Sequence, residues 1–416
     1  MPEHPEDAMT DAAVAPRPHV ATRRHHAART HATSRPPRRT ACRTVPRARL
    51  VVLVPAHDEE AALPTVLRAV RDQTYRPAHV VVVADRCTDG TAAVARAHGA
   101  HVLTTRDNAD RKAGALNQSL AVLVDAPPDY VMVLDADTVI GPRFVETALS
   151  RLDADPRLGA ASGIFLGPGA HGWLQRCQAN EYTRYAAKIG STGRVSVVTG
   201  TASVFRYAAL RDVACARGSA LPGRAGDVYD RGAITEDSEL TLALRTRGWR
   251  LVAPPACVCR TELMPSTVAL HRQRVRWYTG MLDNLRAYGL TRVTAGYHLQ
   301  QLMLTVGTLT LWVLLALTVG AALLGTLAWQ PFWLAVGAVF VVERLVTVWE
   351  GGSTARWISL LVLPELVYDL VLQRAYLHAW SYHLRGRSPQ WGHLTVAHDR
   401  PCVGTAATGA ARGEEE

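Results

Sequence analysis

The chain has 416 residues, 48% of them hydrophobic, with 46 Lys and Arg against 36 Asp and Glu and a formal net charge of +10. That length holds one large or two ordinary domains plus appended segments. The seven cysteines, at 42, 87, 177, 215, 257, 259 and 402, form no CxxC pair, which argues against a zinc module or a disulfide framework.

The charge is uneven. Residues 1–50 carry ten Arg, four acids and seven Pro with no sustained apolar pattern, the composition of a disordered basic tail over 1–47. Such a tail suits an anionic membrane surface, at about 1 kcal/mol per basic residue near the headgroups. Nucleic acid is the competing partner for an Arg-rich arm, but aromatic interleaving and a recognition-helix pattern are lacking, so none is expected. The tail has no apolar core of the kind a signal peptide needs, so the first domain is expected to stay in the cytoplasm.

The fold is expected to begin at Ala48, where LVVLVPA is an apolar strand ending in Asp58 and Glu59. Leu63, Val66, Leu67 and Val70 then recur at helical spacing. A second strand, Val80 to Ala84, runs into Asp85 and the turn residues RCTDGT. A short helix closed by Gly99 follows, and then a brief strand at His101 to Thr104. RKAGALNQSLAVLV is a helix entered through Lys112 and Gly114. It leads to YVMVLDAD, a strand buried on both faces that stops at Asp135 and Asp137. Alternation points both acids the same way, so they can share one cation, at the edge where open α/β sheets bind ligands. Strands alternating with helices of this length give βαβ units and a parallel sheet.

Beyond the acids, 141–152 is helical, 159–167 is strand-like, and 195–205 is an extended run punctuated by Thr199-Gly200-Thr201-Ala202. Residues 216–232, rich in Gly, Arg and Asp, have the composition of a mobile loop. It ends at Ile234-Thr235-Glu236-Asp237, where a helix starts with Ser238 or Asp237 as its cap. RLVAPPACVCR returns as an edge strand, with Cys257 and Cys259 packing on one face.

The pattern changes near Met264. Residues 264–298 are amphipathic and basic, which suits a helix or helix pair at a membrane interface and carries the sequence QRVRW. Leu302 to Ala328 has no charged residue and is long enough to span a bilayer. Phe332 to Val342, extended to Trp349 across Glu343 and Arg344, is a second candidate span. Trp357 to Leu372 contains Glu365 and Asp369 and is either a re-entrant helix or a crossing. Two to three membrane helices are thus expected over 299–385, with a solvated tail over 386–416. The Arg-rich flanks should keep the catalytic side in the cytoplasm, as a multi-pass protein of the cell membrane.

In order, VPAHDEE, ADRCTDGT, KAGALN, DAD, TGTA, TED and QRVRW resemble the motifs of the inverting, membrane-associated family 2 glycosyltransferases, which include the cellulose, hyaluronan and poly-N-acetylglucosamine synthases. The resemblance implies a GT-A fold, an α/β Rossmann-like mixed sheet over 48–263, followed by transmembrane or interfacial helices. It implies transfer of a hexose or N-acetylhexosamine from a UDP-sugar to a glycan or lipid acceptor. Mg²⁺ or Mn²⁺ would stabilise the leaving diphosphate. By this likeness Asp137 is the metal ligand, and Asp135 touches the ribose or supports the metal. Asp58, Asp85 and Lys112 serve the donor, and Asp237 is the general base. Thr201, Glu236, Gln273, Arg276 and Trp277 serve the acceptor or diphosphate, with Arg as the cation and Trp as a stacking face.

Two departures qualify the likeness. Ala84-Asp85 stands where the family usually has two acids, and with two or three spans a closed polymer channel from one copy is not expected. Processive extension and single transfer to a lipid both remain open. So does, from another class, a catalytically idle nucleotide-sugar-binding scaffold, against which the intact acids at 135, 137 and 237 argue.

Overall fold

The computed structural model describes residues 48–387 except 168, 194 and 329. The expected tails over 1–47 and 388–416 lie outside the described residues. In chain order the first half consists of β1 (Leu50–Ala56), α1 (Leu63–Arg71), β2 (His79–Ala84), α2 (Thr91–Ala97), β3 (His101–Thr104), α3 (Arg111–Val122), β4 (Tyr130–Leu134), β5 (Val139–Ile140), α4 (Phe144–Ala154), β6 (Leu158–Ser162) and β7 (Ile164–Leu166). Then come α5 (Gly172–Thr192), β8 (Ala202–Arg206), α6 (Tyr207–Ala216), α7 (Glu236–Thr246), β9 (Arg250–Val252) and β10 (Val258–Arg260). The C-terminal helices are α8 (Thr267–Tyr288), α9 (Ala295–Leu323), α10 (Pro331–Thr347), α11 (Gly352–Leu361) and α12 (Leu363–Leu384).

Seven strands form one sheet in the order β3-β2-β1-β4-β8-β6-β9, and three form a smaller one, β5-β10-β7. β1 and β4 are apolar at consecutive positions because both sheet faces are covered. Leu50, Val52, Val54, Met132 and Leu134 join one core, while Val51, Leu53, Val131 and Val133 join the other. The four apolar residues of α1 at helical spacing are all buried in the first core. β3, β2, β1 and β4 run parallel, so the carboxyl ends of β2, β1 and β4 share one edge and bring Asp85, Asp58 and Asp135 to it. β8 lies antiparallel to β4 and β6. β6 and β9 pair parallel and run in the direction of β4, so β8 alone is reversed against the expected parallel order and the sheet is mixed.

Several local expectations are corrected. Only 202–206 of the extended run 195–205 forms a strand. Upstream of it the chain is held by other bonds, Val198 N to Thr241 Oγ1 at 2.9 Å and Thr199 N to Ser162 Oγ at 3.0 Å. RLVAPPACVCR divides between two sheets at its proline pair: β9 is an edge strand, but β10 is central in the small sheet. The loop over 216–232 is packed rather than loose. Arg217 is buried, its guanidinium bidentate to Glu239 at 2.5 and 2.7 Å and donating to Val228 O at 2.6 Å. The cap of α7 is Thr235, not Ser238 or Asp237, which lie in its first turn.

The C-terminal part also differs from expectation. The basic segment is one helix, α8, capped by the Ser266 side chain and ended at Gly289. The boundary placed at 298 falls inside α9. α9 is long and apolar enough to cross a membrane, and just 6% of its most apolar window is buried, which distinguishes it from a core helix. α10 and the segment ending at Leu361 pass the same test as a pair bent by 57°. The charges that made the later helices ambiguous pair with one another. Fully buried Glu365 accepts from Arg344 at 2.6 Å, Arg184 at 3.0 Å, Asn180 at 3.0 Å and Ser359 at 2.9 Å, and Arg344 also pairs with Asp369. One carboxylate thus ties α10, α11 and α12 to α5.

Candidate active site

Lys112, in the first turn of α3, gathers the centre of the site. Its Nζ lies 2.6 Å from Asp135 Oδ1 and 3.2 Å from Glu236 Oε1, and it donates to Gly200 O at 3.0 Å. Gly200 N in turn donates to Asp237 Oδ2 at 3.2 Å, and Ser238 N donates to Asp237 Oδ1 at 2.7 Å. A Cβ at residue 200 would stand 3.3 Å from Asp237 Oδ2 and 3.4 Å from Lys112 Nζ, which is why this turn carries glycine. Lys112, Thr199, Gly200, Tyr229, Glu236 and Asp237 line one cavity. The predicted residues Lys112, Asp135, Glu236 and Asp237 therefore come together from three separate stretches of chain.

Their charges are interdependent. Burial pushes the Asp237 carboxyl up to about 6, Glu236 beside it adds to the rise, and Lys112 and Arg276 oppose it. Asp135 is likewise pushed up to about 6 by burial, against Lys112, with Asp137 and Glu236 adding. Burial works against the charges on Glu236 and Lys112, but Lys112 holds the Glu236 carboxyl below its ordinary value, and Asp135 first and Glu236 second hold the ammonium above its own.

A second acidic group surrounds Asp137, whose carboxyl rises through burial and Glu262, opposed by the hydroxyl of Thr138 donating at 3.0 Å. Glu59 is pushed up to about 7 by burial and by Asp137, Glu262 and Asp135. β10 pairs antiparallel with β5, Arg260 opposite Val139, and just beyond it Glu262 comes near enough to raise both Asp137 and Glu59. Carboxylates that repel one another at a strand end form the hard-oxygen donor set that suits Mg²⁺ or Mn²⁺. Glu262 carries no sequence signal, because only the fold brings it near Asp137.

Asp58 and Asp85 shape the neighbouring loops. Asp58 Oδ1 accepts from Thr88 N at 2.6 Å and Asp89 N at 3.3 Å, fixing the turn into α2. Its ligand atoms and those of Cys87 and Asp89 lie within 4.8 Å of one another, but the Asp58 and Asp89 carboxylates already accept backbone amides, Asp89 from Glu60 N and Thr91 N. Asp85 Oδ1 accepts from Thr105 Oγ1 at 2.7 Å and Asn108 Nδ2 at 2.9 Å. Asn108 packs so closely on α3 that a Cβ at Gly114 would fall 2.0 Å from its Oδ1. The glycine of KAGALN thereby links Asp85 to the helix that carries Lys112.

α8 presents QRVRW. Arg276 faces the cluster closely enough to lower both Glu236 and Asp237. Arg274, which the sequence reading passed over, is buried, pairs with Glu181 at 2.7 Å, and stands 4.2 Å from the centroid of the half-buried Trp277 ring. Gln273 Oε1 is buried without a hydrogen-bond partner among the described residues. Thr201 Oγ1 bonds Thr199 Oγ1 at 2.8 Å, and its carbonyl accepts from Asp135 N at 2.8 Å. Farther along, Gly280 sits against Thr235 and Asn284 Nδ2 donates to Ser238 Oγ at 2.9 Å, so α8 braces the turn that carries Asp237.

The model of glycosyltransferase-like family 2 matches residues 46–280, more than half of the chain. The chain belongs to this family. A poly-β-1,6-N-acetyl-D-glucosamine synthase of Staphylococcus aureus (strain COL) is 27% identical over 277 residues, covering 64% of this chain and 63% of that protein. The Staphylococcus epidermidis synthase is 26% identical over 237 residues, 55% of this chain and 53% of its own. The chain thus spans somewhat under two thirds of the length of these curated relatives. Among solved structures, a mannosyltransferase from Pyrobaculum calidifontis in complex with GDP-Man and Mn²⁺ superposes with a TM-score of 0.55 at 20% identity, covering 82% of this chain and 88% of that one. This likeness shows the GT-A fold anticipated from the motifs.

Proposed function

We infer that the family 2 glycosyltransferase domain transfers a hexose or N-acetylhexosamine from a UDP-sugar, with inversion, to a glycan or lipid acceptor at the cytoplasmic face of a membrane. The observation that carries this reading is the Asp237 carboxylate held by two backbone amides in the same cavity as Glu236 and Lys112, the latter paired with Asp135. Single displacement needs a fixed carboxylate that takes the acceptor hydroxyl's proton as the new bond forms. With its carboxyl near 6, Asp237 is mostly ionised at neutral pH and still basic enough for the task. Glu236 keeps Lys112 charged beside it, and Arg276 adds a second cation to balance the leaving diphosphate.

The donor side is read from Asp58, Asp85 and Asp135 at the edge formed by β1, β2 and β4. Asp137, with Glu262 and Glu59 near, would hold Mg²⁺ or Mn²⁺. When bound, that ion supplies Lewis-acid stabilisation of the diphosphate. Trp277 offers its flat face to an acceptor sugar, with Thr201 and Gln273 at its approach. The synthase relatives favour an N-acetylglucosamine donor and a polysaccharide product. The exposed apolar surface of α9 and the bent pair after it favour a membrane location, and the basic α8 favours a cytoplasmic site.

Incubating the full-length protein in membranes with labelled UDP-N-acetylglucosamine and sizing the products tests this reading. A ladder of extended chains supports a polymerase, and a product carrying one added sugar supports single transfer to a lipid. UDP binding with neither product would leave the scaffold.

A further inference from the structure

Away from the transfer site, a cavity of about 170 Å³ lies between α3 and α6. Leu120 on α3, Val124 just past its end, and Tyr207, Arg211 and Ala214 on α6 line it, the α6 residues spaced on a single face. Two polar groups on these walls lack partners among the described residues. Tyr207 is only 7% exposed, and its hydroxyl is buried with no hydrogen-bond partner there. Arg211 is exposed and has no ion pair among the described residues. The other arginine at the cavity, Arg231, is committed, bidentate to Asp227 at 2.7 and 3.0 Å and 3.1 Å from Asp110. An orphaned buried hydroxyl carries a desolvation cost that a bound acceptor removes.

We propose that this cavity binds a ring-sized organic anion, its oxyanion on Arg211, an acceptor atom at the Tyr207 hydroxyl and its body against Leu120 and Val124. The size agrees, since an apolar cavity of about 150 Å³ takes a benzene ring. Occupancy reaches the transfer site through Asn117, which lines the cavity. Asn117 Oδ1 accepts from Val228 N at 3.0 Å and Tyr229 N at 2.9 Å, and its Nδ2 donates to Tyr229 O at 2.8 Å. Tyr229 lines the cavity of Lys112 and Asp237. The binding claim stands independently of the proposed activity, whereas the coupling rests on the UDP-donor reading.

Calorimetric titration of the full-length protein in detergent with glucose 6-phosphate and with benzoate tests both claims and separates phosphate from carboxylate recognition. One probe is expected to saturate with a Kd below about 1 mM. Tyr207→Phe and Arg211→Gln should each weaken it by about tenfold or more, since each removes a donor without filling the cavity. UDP affinity should change by about fivefold at saturating probe. Silence with both probes, or binding that neither substitution alters, overturns the site. Binding with an unchanged UDP affinity overturns the coupling, and failure of UDP to bind without any probe counts against the donor reading alone.

Discussion

Asp237 hangs on two backbone amides, Gly200 N on Oδ2 and Ser238 N on Oδ1, and an asparagine oxygen can keep one of the two. Asp237→Asn, with nearly the same shape, should keep the fold and UDP binding while lowering turnover by about 10²-fold or more, the contribution of a general base. Turnover within a few-fold of wild type would remove Asp237 from that role. The pH dependence follows from the same carboxyl. Its value is raised to about 6, so it is protonated and unable to accept a proton at lower pH, and ionised at higher pH. The kcat/KM profile should fall as pH drops through about 6 and level off above it. At this scale the sequence disclosed the acids and Lys112, because each stands at a break in an apolar pattern. Glu262 and Arg274 were illegible. One comes near Asp137 only through the fold, and the other is an arginine that solvent exposure would explain as well until its burial against Glu181 is seen.

Between elements, the contact that most directly sets the site is α8 on the start of α7. A Cβ at Gly280 would fall 2.3 Å from Thr235 Oγ1, in the residue that caps α7. Gly280→Ala should cost about 1–3 kcal/mol from overpacking, even though alanine favours the helix. Because α7 carries Asp237, turnover should fall more than UDP affinity, which steady-state kinetics alongside UDP titration would show. A stabilised variant with full turnover would contradict this account of α8. Elements with apolar periodicity, such as α1 and β4, could be read from the sequence. α5 could not, because its buried face includes Gln178 and Asn180, which bond to Met264 and to the Glu365 group rather than to an apolar core. α6 was missed as well, starting directly from the end of β8 without a loop to mark it.

For the molecule as a whole, Glu365 decides how the C-terminal helices sit on the catalytic sheet. Its carboxylate is fully buried and answers Arg184 of α5 and Arg344 of α10. Glu365→Ala leaves both guanidiniums without it, at a cost of about 3–5 kcal/mol. The thermal unfolding midpoint in detergent should fall accordingly, and an unchanged midpoint would show that the helices are held otherwise. The sequence displayed these charges but not their pairing, so they counted as evidence against spans until the helices were seen together. The central claim, inverting transfer with Asp237 as base, is tested most directly by the anomeric configuration of the product formed from α-linked UDP-N-acetylglucosamine, read by NMR. A β-linked product from the wild-type protein and none from Asp237→Asn is predicted; an α-linked product, or an equal yield from the variant, would contradict it.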